Sequence, residues 1–226
     1  MQGEIERVLA KICGEQIRIT GAGRTDAGVH ASGQVIDFRT KDIDAGELER
    51  GVNALLPEDI AVSALEPAGD EFHARFSATG RTYEYRIRRA RVRDPLWVRR
   101  ELLVDDALDL EAMIAASRAL VGRHDFAAFA AGVSGEREVR RAAWSTESDV
   151  LRFEIEANAF LRGMVRGIVG TLLWVGRGKM SLARFGEVIH AGDRAQAGPS
   201  AAAKGLCLAS VAYDGTRREG ESENDE

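Results

Sequence analysis

One carboxylate in a glycine-rich loop is where this chain first offers chemistry. Residues 21–35 read Gly-Ala-Gly-Arg-Thr-Asp-Ala-Gly-Val-His-Ala-Ser-Gly-Gln-Val. Asp26 stands two residues after Arg24, and in extended geometry both side chains point the same way, which allows an ion pair. Glycines at 21, 23, 28 and 33 give up side-chain packing and suit close approach of another molecule to the main chain. A dinucleotide fingerprint needs glycine where Asp26 stands, and a P-loop needs Lys-Ser/Thr where Val29-His30 stands. The plain alternative is a turn in which Asp26 bonds its own backbone. No Gly-x-Ser-x-Gly nucleophile elbow occurs.

Two further positions could serve a site. Tyr83, Tyr85 and Ile87 share one face of the alternating run from Arg81 to Arg89. They are either core packing with partnered hydroxyls, or the first ring stacks a flat ligand at the mouth of a cleft. Arg166 lies in a helical run whose stripe is Leu161, Met164, Val165, Ile168, Val169 and Leu172. At 100° per residue it falls roughly 120° from the stripe's centre, off the buried face. It can line a cleft there or simply meet solvent. Gly163, Gly167 and Gly170 gather on the opposite face, each costing about 1 kcal/mol against alanine unless something approaches closely.

The elements that must hold these residues follow from periodicity. Gln2 to Ile12 predicts a helix through Ile5, Val8, Leu9 and Ile12. Short strands flank the loop, at Ile17 to Thr20 and Val35 to Phe38. Ile43 to Leu55 predicts a helix closed by Pro57, and Ile60 to Leu65 a strand. Leu108 to Val121 is amphipathic. Val139 to Thr146 and Val150 to Ala157 form a hairpin, followed by helices from Phe160 to Val175 and Ser181 to Ala191. A strand from Leu206 to Tyr213 closes the fold. This order predicts an α+β protein with antiparallel sheets. Pro67, Gly69 and Asp70 loosen the link between an N-terminal part, 1–75, and a C-terminal part, 76–216. Residues 217–226 read as a solvated acidic tail.

With 226 residues the chain can bury a sizeable core. No apolar stretch is long enough to cross a bilayer and no signal segment opens the chain. The two cysteines and four histidines are dispersed, so neither a disulfide framework nor a metal site is expected, and a reducing cytoplasm is. The net charge of −5 argues against a nucleic-acid partner until its distribution is considered. Nine arginines fall between Arg75 and Arg100 against Glu84 and Asp94 alone. Lysine occurs only at 11, 41, 179 and 204, and the arginine bias fits RNA contact. It fits a GC-rich coding sequence or a salt-adapted proteome equally well.

The wording of the Asp26 loop resembles the signature of the tRNA pseudouridine synthase A family. The resemblance continues at Gly51-Val52-Asn53-Ala54-Leu55-Leu56-Pro57, Asp59 to Val62, Phe72-His73-Ala74-Arg75-Phe76-Ser77-Ala78 and Arg81-Thr82-Tyr83-Glu84-Tyr85-Arg86-Ile87. It resumes at Ala157 to Arg166 and Gly205-Leu206-Cys207-Leu208, so it spans about residues 2 to 213. The family carries an earlier strand and a Tyr-Asp-Gly…Gly-Trp-Gln loop before its first helix. Neither stands ahead of Gln2, which implies a sheet with open hydrogen-bonding edges.

The resemblance implies two similar antiparallel-sheet-plus-helix halves around a central cleft, and isomerisation of uridine to pseudouridine at positions 38, 39 and 40 of the tRNA anticodon stem-loop. It implies a homodimer holding one tRNA across both subunits, and no cofactor or metal. Asp26 takes the catalytic role, attacking the base or the sugar or removing a ribose proton, and the target base leaves its stack. Tyr83 stacks on the uracil, and Arg166 contacts the carboxylate or substrate. Arg24 pairs with Asp26, holds phosphate or fills the space left by the flipped base. Arg75 and Arg81, with Arg86, Arg88 and Arg89, can track phosphates. His30 and His73 are expected to make structural hydrogen bonds. Two other functions suit the same residues: a tRNA-binding or folding factor that has lost catalysis, and a glycosidic hydrolase, for which the matched motifs offer no second carboxylate.

Overall fold

A computed structural model describes residues 1–41 and 43–214, and the acidic tail expected at 217–226 lies outside them. The described residues form two compact units: residues 1–23 with 35–78, and residues 24–34 with those described from Thr79 onward. A division at residue 75 would leave the Asp26 loop in the N-terminal part. Its hydrogen bonds put it in the second unit instead, because the amides of Ser32 and Gly33 both donate to the Leu208 carbonyl, at 3.0 and 3.2 Å.

In the first unit, α1 (Gln2–Cys13) buries Ile5, Val8, Leu9 and Cys13 and ends at Gly14, whose φ of 69° suits a left-handed cap. Strands β1 (Thr20–Gly21) and β3 (Ile36–Asp37) pair antiparallel over two residues each. Helix α2 (Ala45–Leu55) starts later than its apolar pattern suggests, because Asp44 caps it by accepting from the Glu47 amide at 2.8 Å. The strand expected at Ile60 to Leu65 does not form. Side chains of α2 take its backbone groups: Asn53 accepts from the Val62 amide at 2.8 Å and donates to the Val62 carbonyl at 2.7 Å. Glu49 accepts from the Leu65 amide at 2.8 Å. Ile60, Val62 and Leu65 still pack on the α1–α2 cluster.

The second unit is built on a seven-stranded sheet. Its long strands are β4 (Ala78–Arg89), β7 (Glu136–Glu147), β8 (Val150–Ala157) and β9 (Leu206–Tyr213). The short β2 (His30–Ala31), β5 (Leu102–Val104) and β6 (Gly122–Asp125) complete it in the order β2-β9-β4-β8-β7-β6, with β5 beside β4. The α+β class stands, but the sheet is mixed: β2 runs parallel to β9, and β5 parallel to β4. Helix α3 (Leu110–Arg118) starts later than expected because Asp109 is its cap, accepting from the Ala112 amide at 2.9 Å, and residues 119–121 follow it in turns bonded three residues back.

Helix α4 (Met164–Gly176) runs through the core, with α5 (Leu182–Ala191) following it. It begins four residues later than the periodicity suggests, since Gly163 has φ 72° and cannot belong to a right-handed helix. Apart from Arg166 and Trp174, every residue of α4 is buried. Its glycines make room for this chain's own backbone. A Cβ on Gly167 would lie 2.2 Å from the Phe129 carbonyl oxygen, and one on Gly170 only 1.7 Å from that of Pro199.

Two glycines therefore respond oppositely to alanine. Gly186→Ala in α5, where a Cβ meets nothing within 4 Å, is expected to stabilise by about 0.5–1 kcal/mol. Gly170→Ala is expected to destabilise by about 1–3 kcal/mol despite better helix propensity. Urea unfolding midpoints of the two variants check the pair.

Candidate active site

Asp26 opens a tight turn. The Val29 amide donates to the Asp26 carbonyl at 3.0 Å, and Gly28 takes φ 81°, a value that suits glycine at the third position of such a turn. The turn alternative considered for this loop is thus correct for its backbone, while the Asp26 side chain is engaged elsewhere. Immediately afterwards β2 clamps the chain to β9, with His30 opposite Cys207 and Ala31 opposite Leu208. At Gly33 a Cβ would lie 2.1 Å from the Ala209 carbonyl oxygen, so only glycine lets the loop settle there.

The partner of the Asp26 carboxylate is Arg166, from the first turn of α4. Arg166 Nη1 lies 3.0 Å from Asp26 Oδ2. The same guanidinium donates Nε to the Ala201 carbonyl at 2.8 Å, while the Ala201 amide donates to the Arg166 carbonyl at 2.9 Å. Arg166 is thereby fixed at its far edge and presents Nη1 to the loop. Asp26 Oδ1 makes no hydrogen bond among the described residues. The site holds a carboxylate anchored by one oxygen, 41 % exposed, with the other oxygen available to a substrate.

Arg24 does not make the ion pair its spacing allowed. It is exposed and has no partner among the described residues, while the Asp26 carboxylate is paired with Arg166. The tyrosines separate by depth along β4. Tyr85 is fully buried, opposite Phe153 in the register, and donates its hydroxyl to the Ala202 carbonyl at 2.8 Å. Tyr83, opposite Ile155, is partly buried and meets Phe160 edge-on at 5.1 Å between centroids. Burial pushes its hydroxyl above the ordinary phenol range. Arg81 pulls the other way, and Asp26 and Cys207 add to the rise. Tyr83 thus lies within the field of both Arg81 and Asp26.

Arg81 donates Nη1 to the Asn158 carbonyl at 2.9 Å. Arg75 belongs to the first unit, exposed, with its guanidinium 5.5 Å from the Phe76 ring centroid. His30 and His73 make structural contacts, His30 Nε2 to the Arg99 carbonyl at 2.7 Å and His73 Nδ1 to the Arg75 amide at 3.2 Å. The segment 201–204 was not legible as part of a site. It supports the site through main-chain carbonyls and small size, Ala201 on Arg166, Ala202 on Tyr85 and Ala203 beneath Gly28. Only the run of three alanines hinted at close approach.

The family described as tRNA pseudouridine synthase matches residues 1–77 and 116–214. The chain belongs to this family. A tRNA pseudouridine synthase A from Syntrophotalea carbinolica is 44% identical, covering 94% of this chain and 86% of its own length. Proteins of the same name from Chloroflexus aurantiacus and Bordetella petrii are 45% and 42% identical, each over 94% of this chain and over 80% and 82% of their own lengths. The pseudouridine synthase match takes in Arg24, Asp26, Arg75 and Arg166, while Arg81 and Tyr83 fall between its two stretches. Among the described residues no helix is long and apolar enough to cross a membrane.

Tyr83 and Tyr85 both hold their protons above the ordinary phenol pKa of 10.0, chiefly through burial. Such groups contribute stability fully below that value, and the contribution is lost as pH rises through the raised folded pKa. Spectrophotometric titration of the native protein is expected to lose a late-ionising step in Tyr83→Phe and another in Tyr85→Phe. A step vanishing from the ordinary range instead would contradict this.

Proposed function

We propose that this chain isomerises uridine to pseudouridine in tRNA, with Asp26 as the catalytic carboxylate. The observation that carries the proposal is the carboxylate of the family's signature loop, held through one oxygen by Arg166 with the other unengaged among the described residues. The reaction breaks the bond from ribose C1′ to uracil N1 and forms one from C1′ to C5. N1 gains a proton and C5 releases one, so redox state is unchanged and no cofactor is called on. A carboxylate can start this as nucleophile or base. A rigidly anchored one loses less entropy in reaching the reactive geometry.

Tyr83 stacks on the extruded uracil, a reading supported by its being only partly buried, with its ring edge-on to Phe160. Arg166 orients the carboxylate, and Arg24 contacts phosphate or fills the gap left by the flipped base. Arg75 and Arg81 contribute positive charge toward the RNA backbone. The targets are uridines 38, 39 and 40 of the anticodon stem-loop, and the working form is a cytoplasmic homodimer holding one tRNA across both subunits. These assignments follow the family resemblance.

Release of tritium from tRNA labelled at uridine C5 tests the reading, since only bond formation at C5 frees the label to water. Asp26→Asn is expected to abolish release while tRNA affinity stays within about tenfold, or about 1.4 kcal/mol. Retained turnover would remove Asp26 from the chemistry. Labelled uracil in place of labelled water would mean glycosidic cleavage, and binding without release would mean an RNA-folding factor. Arg166→Lys keeps the charge but loses the Ala201 anchor. Turnover at saturating tRNA is expected to fall about 10- to 100-fold. Tyr83→Ala is expected to lower turnover more than Tyr85→Phe, and the reverse order would return Tyr83 to the core.

A further inference from the structure

The nine arginines between residues 75 and 100 do not stand alike in the fold. Arg81 is bound to the Asn158 carbonyl at 2.9 Å. Arg86 lies 4.5 Å from the Trp97 ring centroid and 3.7 Å from Glu84. Arg88 is ringed by the carboxylates of Glu101, Asp149 and Asp94. Arg91, Arg93, Arg99 and Arg100 differ. All four are exposed, and among the described residues none of their guanidinium groups has an ion pair or hydrogen bond.

These four sit on the connection from β4 to β5. Parallel strands need a crossover of about a dozen residues, usually helical; this one is made of turns. Asp94 Oδ1 accepts from the Leu96 amide at 2.9 Å, the Asp94 carbonyl from the Trp97 amide at 3.1 Å, and the Trp97 carbonyl from the Arg100 amide at 2.7 Å. Asp94 Oδ2 also reaches Arg88 Nη2 at 3.4 Å. The connection is thereby held in one shape, and its two carboxylates, Asp94 and Glu101, are both already committed to Arg88.

Two hydrogen bonds fasten it next to the Asp26 loop. His30 Nε2 donates to the Arg99 carbonyl at 2.7 Å, and Lys204 Nζ donates to the Val98 carbonyl at 2.9 Å. Lys204 follows Ala203, the residue facing Gly28. Arg91, Val92, Arg93, Pro95 and Leu103 line an open hollow of about 400 Å³. The whole connection lies between the two stretches that match the family.

We propose that the β4–β5 connection is a second contact with the RNA backbone, where Arg91, Arg93, Arg99 and Arg100 hold phosphates of the same RNA whose uridine reaches Asp26. It rests on the tRNA-modifying reading above. Four unpaired guanidinium groups facing water repel one another, and a polyanion relieves that repulsion. An apolar protein partner would desolvate them with nothing in return. Arginine also forks onto phosphate oxygens, pairing two donors with one group.

The test is tRNA binding by the full chain across a salt series, for wild type, R91A/R93A, R99A/R100A and R91K/R93K, with light scattering on each. Each alanine pair is expected to weaken binding roughly 5- to 50-fold near 0.1 M salt. Each is also expected to flatten the slope of log affinity on log salt, by about 0.7–0.9 for every phosphate no longer held. R91K/R93K is expected to keep the wild-type slope. Wild-type affinity and slope in both alanine pairs would overturn the proposal, as would a flattened slope in the lysine pair. So would a change of oligomeric state accompanying the weaker binding, which would make the connection a face between copies. A wild-type chain that neither binds nor isomerises tRNA would defeat the underlying reading as well; an active wild type with unaffected variants defeats the second contact alone.

Discussion

The Arg166 guanidinium ties three separate stretches of chain together: α4 that carries it, the Ala201 segment that accepts from Nε, and the Asp26 turn that accepts from Nη1. Each bond constrains the others. Without the Ala201 carbonyl, a long flexible side chain would have to find Asp26 unaided, with loss of its rotamer freedom. With it, the guanidinium is held by a contact that does not depend on the carboxylate. The reciprocal bond from the Ala201 amide to the Arg166 carbonyl makes that segment part of the opening turn of the helix.

Close backbone approach is what allows so much to converge. Gly170 admits the Pro199 carbonyl, which brings the chain past α4 to Ala201, and Gly205 leaves room for the Tyr85 ring. Gly33 admits the Ala209 carbonyl and seats the loop on β9. Thr171 closes the arrangement: its hydroxyl donates to the Gly167 carbonyl at 2.8 Å and accepts from the Gly198 amide at 3.0 Å, so the hydroxyl is satisfied although fully buried. The glycines give up helix propensity and place carbonyl oxygens where side chains could not go.

Much of the scaffold could be read directly. Helices α1, α2, α3 and α5 and the β7–β8 hairpin follow from periodicity, with end shifts explained by Asp44 and Asp109 acting as caps. The short β1 and β3 overlap runs that the pattern marks, but β2, β5 and β6 leave no trace in it because two to four residues carry no usable alternation; they exist only because a neighbour offers a ladder edge. The converse holds at residues 60–65, where alternation without a partner strand left Asn53 and Glu49 to satisfy the backbone. The Arg24–Asp26 pair did not form for a related reason, since near-neighbour spacing cannot show that a distant cation, Arg166, takes the carboxylate.

Local order in the amino acids was enough to single out Asp26, its glycine-rich surroundings, and Tyr83, Tyr85 and Arg166 as the side chains to watch, together with the family they belong to. These are properties of residue type and near-neighbour spacing, which the chain carries before it folds. Residue type and spacing left open which cation meets Asp26, which tyrosine is sealed in the core and which arginines remain free; the family resemblance pointed to Arg166 and to Tyr83 at the site, and the tertiary contacts decide all three. Those outcomes depend on contacts between residues as far apart as Asp26 and Arg166, 140 positions along the chain. They also depend on main-chain carbonyls at Ala201 and Ala202, whose positions no side-chain pattern records.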